Sequence, residues 1–257
     1  MSRGRLRVFL GAALGVGKTF AMLEEGHRLQ RERRDVVVGF VSTHDRAEVS
    51  DLLQGLELIP QLSSGDHGDA GGVMDLRAVL ARAPQVVLVD ELARSNPPGS
   101  AHETRWEEVE ELLEAGVDVL TTLNVQNLES MNDVVYEITG VRETDTIADD
   151  LVRQRAEVEL VDLTQEGIQE RLTAGKIYPA EAVDAALANY FRPGNLSALR
   201  ELALSWTADR VDETLTEYRL MHGIEQPWET KERIVVGLLA AEGADVIVRR
   251  AARTALR

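Results

Sequence analysis

The sequence predicts an α/β protein with a doubly wound, mostly parallel sheet and a helical C-terminal extension. Three observations carry that reading. Four valine-rich runs of strand length fall between residues 6 and 125, they alternate with longer stretches of helical periodicity, and their apolar character is continuous rather than alternating. A strand that is apolar at every position is buried on both faces, and a sheet covered by helices on both faces is a parallel one.

Taken in order, "LRVFL" (6–10), "VVVGFV" (36–41), "QVVLVD" (85–90) and "VDVLTTLNV" (117–125) are the strands. Between them "KTFAMLEEGHRLQRERR" (18–34) and "ETRWEEVEELLEAG" (103–116) read as helices. In the second, Trp106, Val109, Leu112 and Leu113 share one face and Gly116 supplies the stop. The polar, glycine-rich "QLSSGDHGDAGG" (61–72) reads as a mobile surface loop. From 143 to 170 nine acidic residues face only Arg153 and Arg155, which predicts a solvated region around one short strand, "EVELVDL" (157–163). Beyond it "PAEAVDAALANYF" (179–191) reads as helical, as does a long segment from Asn195 to about Met221. There Leu204, Ala208, Val211, Leu215 and Tyr218 recur at helical spacing and form the expected packing stripe. "KERIVVGLLA" (231–240) opens a new strand, and one strand with one helix cannot bury a core alone. The expected organisation is therefore a domain over 1–225, with its sheet core at about 1–165 and its helical extension at about 166–225, followed at 230–257 by the start of a second α/β domain.

Composition narrows the chemistry. Hydrophobic residues make up 44% of the 257, enough for a core, and the absence of cysteine excludes disulfides, cysteine nucleophiles and thiolate metal sites. No apolar run approaches the roughly 20 residues of a membrane-spanning helix, and "MSRGRLRVFLG" has too short an apolar core for a secretory signal, so a cytoplasmic location without membrane insertion is expected. A net charge of −16 argues against direct nucleic-acid binding. The charge is uneven: residues 1–34 hold eight Lys/Arg against three Glu, so that segment is +5 and the remainder −21. Helix-surface solvation and attraction of an anionic ligand both account for the basic stretch.

The basic stretch contains Ala12-Ala13-Leu14-Gly15-Val16-Gly17-Lys18-Thr19, which fits the phosphate-loop (Walker A) pattern with Ala in the first glycine position. Gly15 and Gly17 let main-chain N–H groups curl around a phosphate, Lys18 reaches the β/γ-phosphates, and the Thr19 hydroxyl ligates Mg²⁺. The helix that follows aims its positive end at the same anion. Magnesium needs a further carboxylate, expected on a neighbouring strand, and "VVLVDEL" (86–92) supplies Asp90 at the carboxyl end of a buried run. Asp90 would hold the metal through water, and Glu91 could polarise an attacking water as general base. At the end of "TTLNVQN" (121–127), Thr122, Asn124 or Gln126 could contact the γ-phosphate, with helix capping as the alternative for Asn. "STHDR" (42–46) follows the second strand, where nucleotide state is often coupled to shape. Arg94 and Arg105 could stabilise transferring charge, although surface salt bridges are the commoner fate of such arginines. The five histidines show no metal-ligand spacing.

Together "VFLGAALGVGKTFAML", "VSTHDR", "DELARSNPPGSAHETRWEEVEELLEAGVDVLTTLNVQNLESMNDVV" and "FRPGNLSALRELALSWTADRVDE" resemble the cytoplasmic N-terminal region of the KdpD family of potassium-responsive sensor histidine kinases, from about Arg3 to about Tyr218. The tail from Arg233 resembles the start of the universal-stress-protein-like domain that follows in that family. The resemblance implies a region that binds ATP through the loop matched here by residues 12–19 and tunes the kinase/phosphatase balance of a membrane-bound kinase. That kinase passes phosphate to a response regulator and so controls synthesis of a potassium pump. The kinase core itself is missing from this sequence: "HETRWE" (102–107) lacks the proline of a phospho-accepting H-E-x-x-x-P, and no glycine-rich ATP lid follows. The expectation is thus an ATP-Mg²⁺-binding regulatory module whose partners are the remainder of the kinase and, indirectly, its response regulator. A stand-alone ATPase using Glu91, and a small-molecule phosphotransferase using "SSGDHGDAGG" (63–72) as a lid, are the rivals. Oligomeric state is open. Lys18, expected to face solvent, is the residue whose loss should abolish binding without harming the fold.

Overall fold

A computed structural model describes residues 2–43, 47–62, 72–178, 183, 186–187 and 189–224. The chain divides into two compact units, Met1–Arg210 and Val211–Arg257. Six strands form one sheet in the first unit: β1 (Leu6–Gly11), β2 (Val36–Phe40), β3 (Glu57–Leu58), β4 (Val86–Val89), β5 (Asp118–Asn124) and β6 (Ala156–Val161). Their order is β3-β2-β4-β5-β1-β6 and every pairing is parallel. The helices are α1 (Lys18–Arg31), α2 (Ala47–Leu53), α3 (Leu76–Arg82), α4 (Arg105–Glu114), α5 (Glu129–Thr139), α6 (Asp149–Arg155), α7 (Gln165–Thr173) and α8 (Pro193–Met221).

Continuous apolar strands mean two covered faces, and the structure has them. Every residue of β2 and β4 is buried. Val87 and Val89 face one core with Val109, Leu112 and Leu113 of α4, Val135 of α5 and Leu199, Ala203 and Trp206 of α8. Val86 and Leu88 face the other, with Met22 and Leu23 of α1 and Val49 of α2. Burying each such side chain is worth about 1.5–3 kcal/mol relative to exposure. A capping box starts α4: the Thr104 hydroxyl accepts from the Glu107 N–H while the Glu107 carboxylate accepts from the Thr104 N–H.

The expected packing stripe on α8 is not the buried one. Leu204 is 44% exposed, and Val211 and Tyr218 are exposed as well, whereas Leu196, Leu199, Ala203 and Trp206 are buried. The helix carries apolar residues at two phases about 100° apart, and the Trp206 indole selects one of them by donating to Asp149 at 2.8 Å. The region read as solvated around β6 is likewise stitched down. Asp149 also accepts from Ser130, Asp145 accepts from Ser95, and Asp162 pairs with Arg200. Of the second unit only residues 211–224 are described, and there the Tyr218 and His222 rings stack 4.0 Å apart. The helix read at 179–191 falls largely outside the described residues, as do 63–71 of the glycine-rich loop, His44 to Arg46 of "STHDR", and the whole of 230–257.

Candidate functional site

The loop between β1 and α1 occupies the carboxyl edge of the sheet, where a parallel strand hands over to a helix. Gly15 and Gly17 adopt left-handed φ values of 83° and 105°, which a side chain would strain. Ala13 and Val16 are buried against Ile168 and Leu172 of α7, so the loop is pinned from below, while Leu14 is exposed and Ala12 is buried in the sheet core. Gly17 is the N-cap of α1; no side chain caps it, and the first turn holds no acidic residue. The N–H groups of a helix's first turn, with the positive end of the helix dipole, make a seat for an anion. Lys18 is not solvent-facing as expected: it is 8% exposed, and its Nζ donates to the Ala13 carbonyl at 3.0 Å.

Asp90 follows β4 and is 2% exposed. Its strand is not the neighbour of β1: β5 lies between them, because strand order departs from sequence order. The carboxylate crosses that gap, meeting the Thr19 hydroxyl at 3.1 and 3.4 Å. Burial pushes the Asp90 pKa up and the Glu91 charge adds to this; hydrogen bonds from Thr122 and Thr19 and the Lys18 charge pull the other way. Oxygen donors alone meet here, the hard set Mg²⁺ takes, and Mg²⁺ is usually held by one or two carboxylates with substrate phosphates rather than by an all-protein cage. Among the described residues there is no cluster of three or more His, Asp or Glu that could hold a metal ion.

Glu91 lies in the left-handed region at φ 61°, held by its N–H donating to Thr122 Oγ1 at 3.1 Å. A non-glycine residue there costs on the order of 1–3 kcal/mol. Its carboxylate accepts from Arg94 Nη1 at 3.1 Å. Of Thr122, Asn124 and Gln126, Thr122 donates to Asp90, and Gln126 bonds Tyr190 and Glu143. The Asn124 Oδ1 is buried with no hydrogen-bond partner, and Asn124 makes no side-chain cap. Helix α5 starts after Leu128, also without a side-chain cap, so the capping alternative fails for Asn127 too, whose amide donates to the Asp145 carbonyl.

Arg105 overturns the expectation of a surface salt bridge. It is fully buried, 4.0 Å over the Phe40 ring, with Glu108 Oε2 at 3.4 Å, and none of its three guanidinium nitrogens has a hydrogen-bond partner. Burial lowers its pKa to about 10. The loop from Arg94 to Thr104 folds it inward, with Arg105 N–H donating to the Arg94 carbonyl at 2.9 Å. In the basic N-terminal stretch, surface pairing prevails: Arg3 meets Glu110, Arg7 meets Glu25 and Glu159, and Arg34 meets Asp118.

A cleft of 980 Å³ brings Gly15, Gly17, Lys18, Thr19, Asp90, Glu91 and Asn124 together, and Ser42 and Thr43 reach it as well. It also takes Arg171 and Lys176, which no pattern in the sequence singles out. A lone arginine on an acidic helix gives no local signal; only the packing of α7 on the loop puts it there.

A sequence profile described as "KdpD: Osmosensitive K+ channel His kinase sensor domain" matches residues 2–211. The chain belongs to the KdpD sensor-domain family. It is 51% identical over 253 residues to the sensor protein KdpD of Mycobacterium tuberculosis (strain CDC 1551 / Oshkosh), a match covering 98% of the chain and 29% of that relative. The sensor protein KdpD of Escherichia coli (strain K12) is 48% identical over 255 residues, covering 99% of the chain and 28% of the relative. For that of Clostridium acetobutylicum the identity is 41% over 254 residues, covering 99% and 28%. The chain thus spans less than a third of the length of these relatives. Among the described residues no helix is long and apolar enough to cross a membrane.

Proposed function

We propose that this chain is an ATP-Mg²⁺-binding regulatory region of a potassium-responsive sensor histidine kinase, acting from the cytoplasmic side on the kinase/phosphatase balance. The observation that carries the nucleotide reading is the uncapped first turn of α1, with Gly15 and Gly17 left-handed and Lys18 folded into the same edge. When bound, the magnesium nucleotide supplies a triphosphate charge for the loop to read. On this reading the N–H groups of residues 15–19 bind phosphate oxygens, Lys18 exchanges its Ala13 carbonyl for phosphate, and Thr19 with Asp90 orients the metal. Thr122 fixes the Asp90 carboxylate. Asn124, paired in register with Gly11 at the start of the loop, contributes an acceptor or donor to the same cleft.

Binding rather than turnover is the role assigned, since Glu91, the candidate base, already holds Arg94. The regulatory role is supported by family membership and by the Mycobacterium tuberculosis and Escherichia coli relatives being more than three times as long as this chain. Its partners are then the remainder of the kinase and, through it, a response regulator, and residues 230–257 begin a universal-stress-protein-like domain. Amide NMR of the chain tests the nucleotide reading. Mg-ATP should shift the resonances of residues 14–19 most; adenosine should leave them in place. Shifts confined to the surface groove around Thr164, Arg200 and Leu204 would contradict it.

A further inference from the structure

We propose that α7 and the turn behind it supply a second cationic arm to this anion seat, with Arg171 as a phosphate-binding residue and Lys176 beside it. The inference rests on the nucleotide reading above and names the residues outside the loop that complete the site. Arg171 stands 156 positions from Gly15 in sequence, yet its Nη1 donates to the Gly15 carbonyl at 2.9 Å. The same nitrogen lies 3.2 Å from where a Cβ on Gly17 would stand, and Ile177 Cδ1 lies 2.1 Å from one on Gly15. Gly17 therefore turns its bare side toward Arg171 of α7 and Gly15 toward Ile177 in the turn that follows, and a Cβ at either position would displace those side-chain ends. The registration is firm because Ala13 and Val16 share a buried cluster with Ile168 and Leu172.

The charge at the mouth is arranged to match. Lys176 Nζ holds Glu48 Oε1 at 2.5 Å, and the Glu48 carboxyl is held below its usual range by that hydrogen bond and by the Lys176 and Arg171 charges. The turn after α7 thus already binds a carboxylate from α2 at the edge of the cleft. A guanidinium has five N–H donors in a planar fork suited to phosphate oxygens, so one bond to a carbonyl leaves it competent for such a ligand.

Calorimetric titration of Mg-ATP into the wild-type chain and into Arg171→Gln, Arg171→Lys and Lys18→Ala tests this. Losing a charge-assisted hydrogen bond should weaken binding roughly ten- to hundredfold in Arg171→Gln, with the charge-conserving Arg171→Lys recovering part of the loss. If Arg171 only braces the loop, glutamine and lysine will behave alike, and the inference falls. It also falls alone if Lys18→Ala weakens binding while Arg171→Gln stays within about twofold of wild type. Absence of binding by the wild-type chain removes this inference and the nucleotide reading together. A second measurement needs no variant: arginine-directed dicarbonyl labelling of the wild-type chain, mapped by mass spectrometry. Mg-ATP should protect Arg171 and leave Arg28, on the exposed side of α1, labelled as before. Equal labelling of Arg171 with and without nucleotide overturns the proposal.

Discussion

Replacing Gly15 by alanine probes whether the turn after α7 is seated on the loop. Two costs add. The left-handed φ of 83° disfavours a Cβ by about 1–2 kcal/mol. The new methyl would also stand 2.1 Å from Ile177 Cδ1 and 2.6 Å from its Cγ1, so that side chain must swing aside. Overpacking of this kind costs about 1–3 kcal/mol, at the low end here because a terminal methyl can move. The expected destabilisation is about 2–4 kcal/mol, or a fall in melting temperature of roughly 5–15 °C for a chain of this size. In an Ile177→Ala background the steric part disappears and only the conformational cost remains. Urea denaturation of the wild type, both single variants and the double variant should therefore show a coupling of about 1 kcal/mol or more. Additive costs would mean that Ile177 does not sit over Gly15, and the argument for a second cationic arm would lose its geometry.

Asp90→Asn removes a buried charge that the fold disfavours, so the free chain should melt higher at pH 7, by roughly 2–4 °C for each kcal/mol gained. The sign follows from the raised pKa: the wild-type penalty is present when the carboxyl is ionised and disappears as pH falls through the folded-state value, so the gain should vanish below the ordinary carboxylate pKa. The same variant should lose stabilisation by magnesium nucleotide; a lower melting temperature at pH 7 would refute the charge argument. Arg105→Met should cost about 3–5 kcal/mol by leaving the Glu108 carboxylate buried without its cation. Arg105→Met with Glu108→Gln should regain at least half of that in urea denaturation, and an equal loss in both chains would show that the pair is not coupled.

Strands β1, β2, β4 and β5 were legible because burial on both faces leaves a continuous apolar run that needs no partner to be recognised, and each ends within a residue or two of the run that predicts it; the two exposed residues of β3 carry no such run. The loop from Ala12 to Thr19 was legible for a similar reason, since glycine spacing, Lys18 and Thr19 are local. What was not legible depends on neighbours distant in sequence. Strand order places β5 between β1 and β4, so the hydroxyl that steadies Asp90 comes from Thr122 on the intervening strand. Arg105, at the start of α4, lies buried over the ring face of Phe40 from β2. The apolar phase of α8 was misread because Leu204, Ala208 and Val211 keep a helical spacing as regular as that of Leu196, Leu199 and Trp206. The packing of Leu199 and Ala203 into the sheet core and the reach of Trp206 to Asp149 mark the buried face. Arg171 and Lys176 carry no sequence signal at all.

The central claim, that the β1–α1 loop seats a magnesium-bound triphosphate, is tested most directly by calorimetry of Mg-ATP with the wild-type chain and Lys18→Ala, each checked for an intact fold by circular dichroism. One site per wild-type chain, lost in the variant, is the result the account predicts. Equal affinities in the two chains would contradict it, because Lys18 lies within the turn that carries the site.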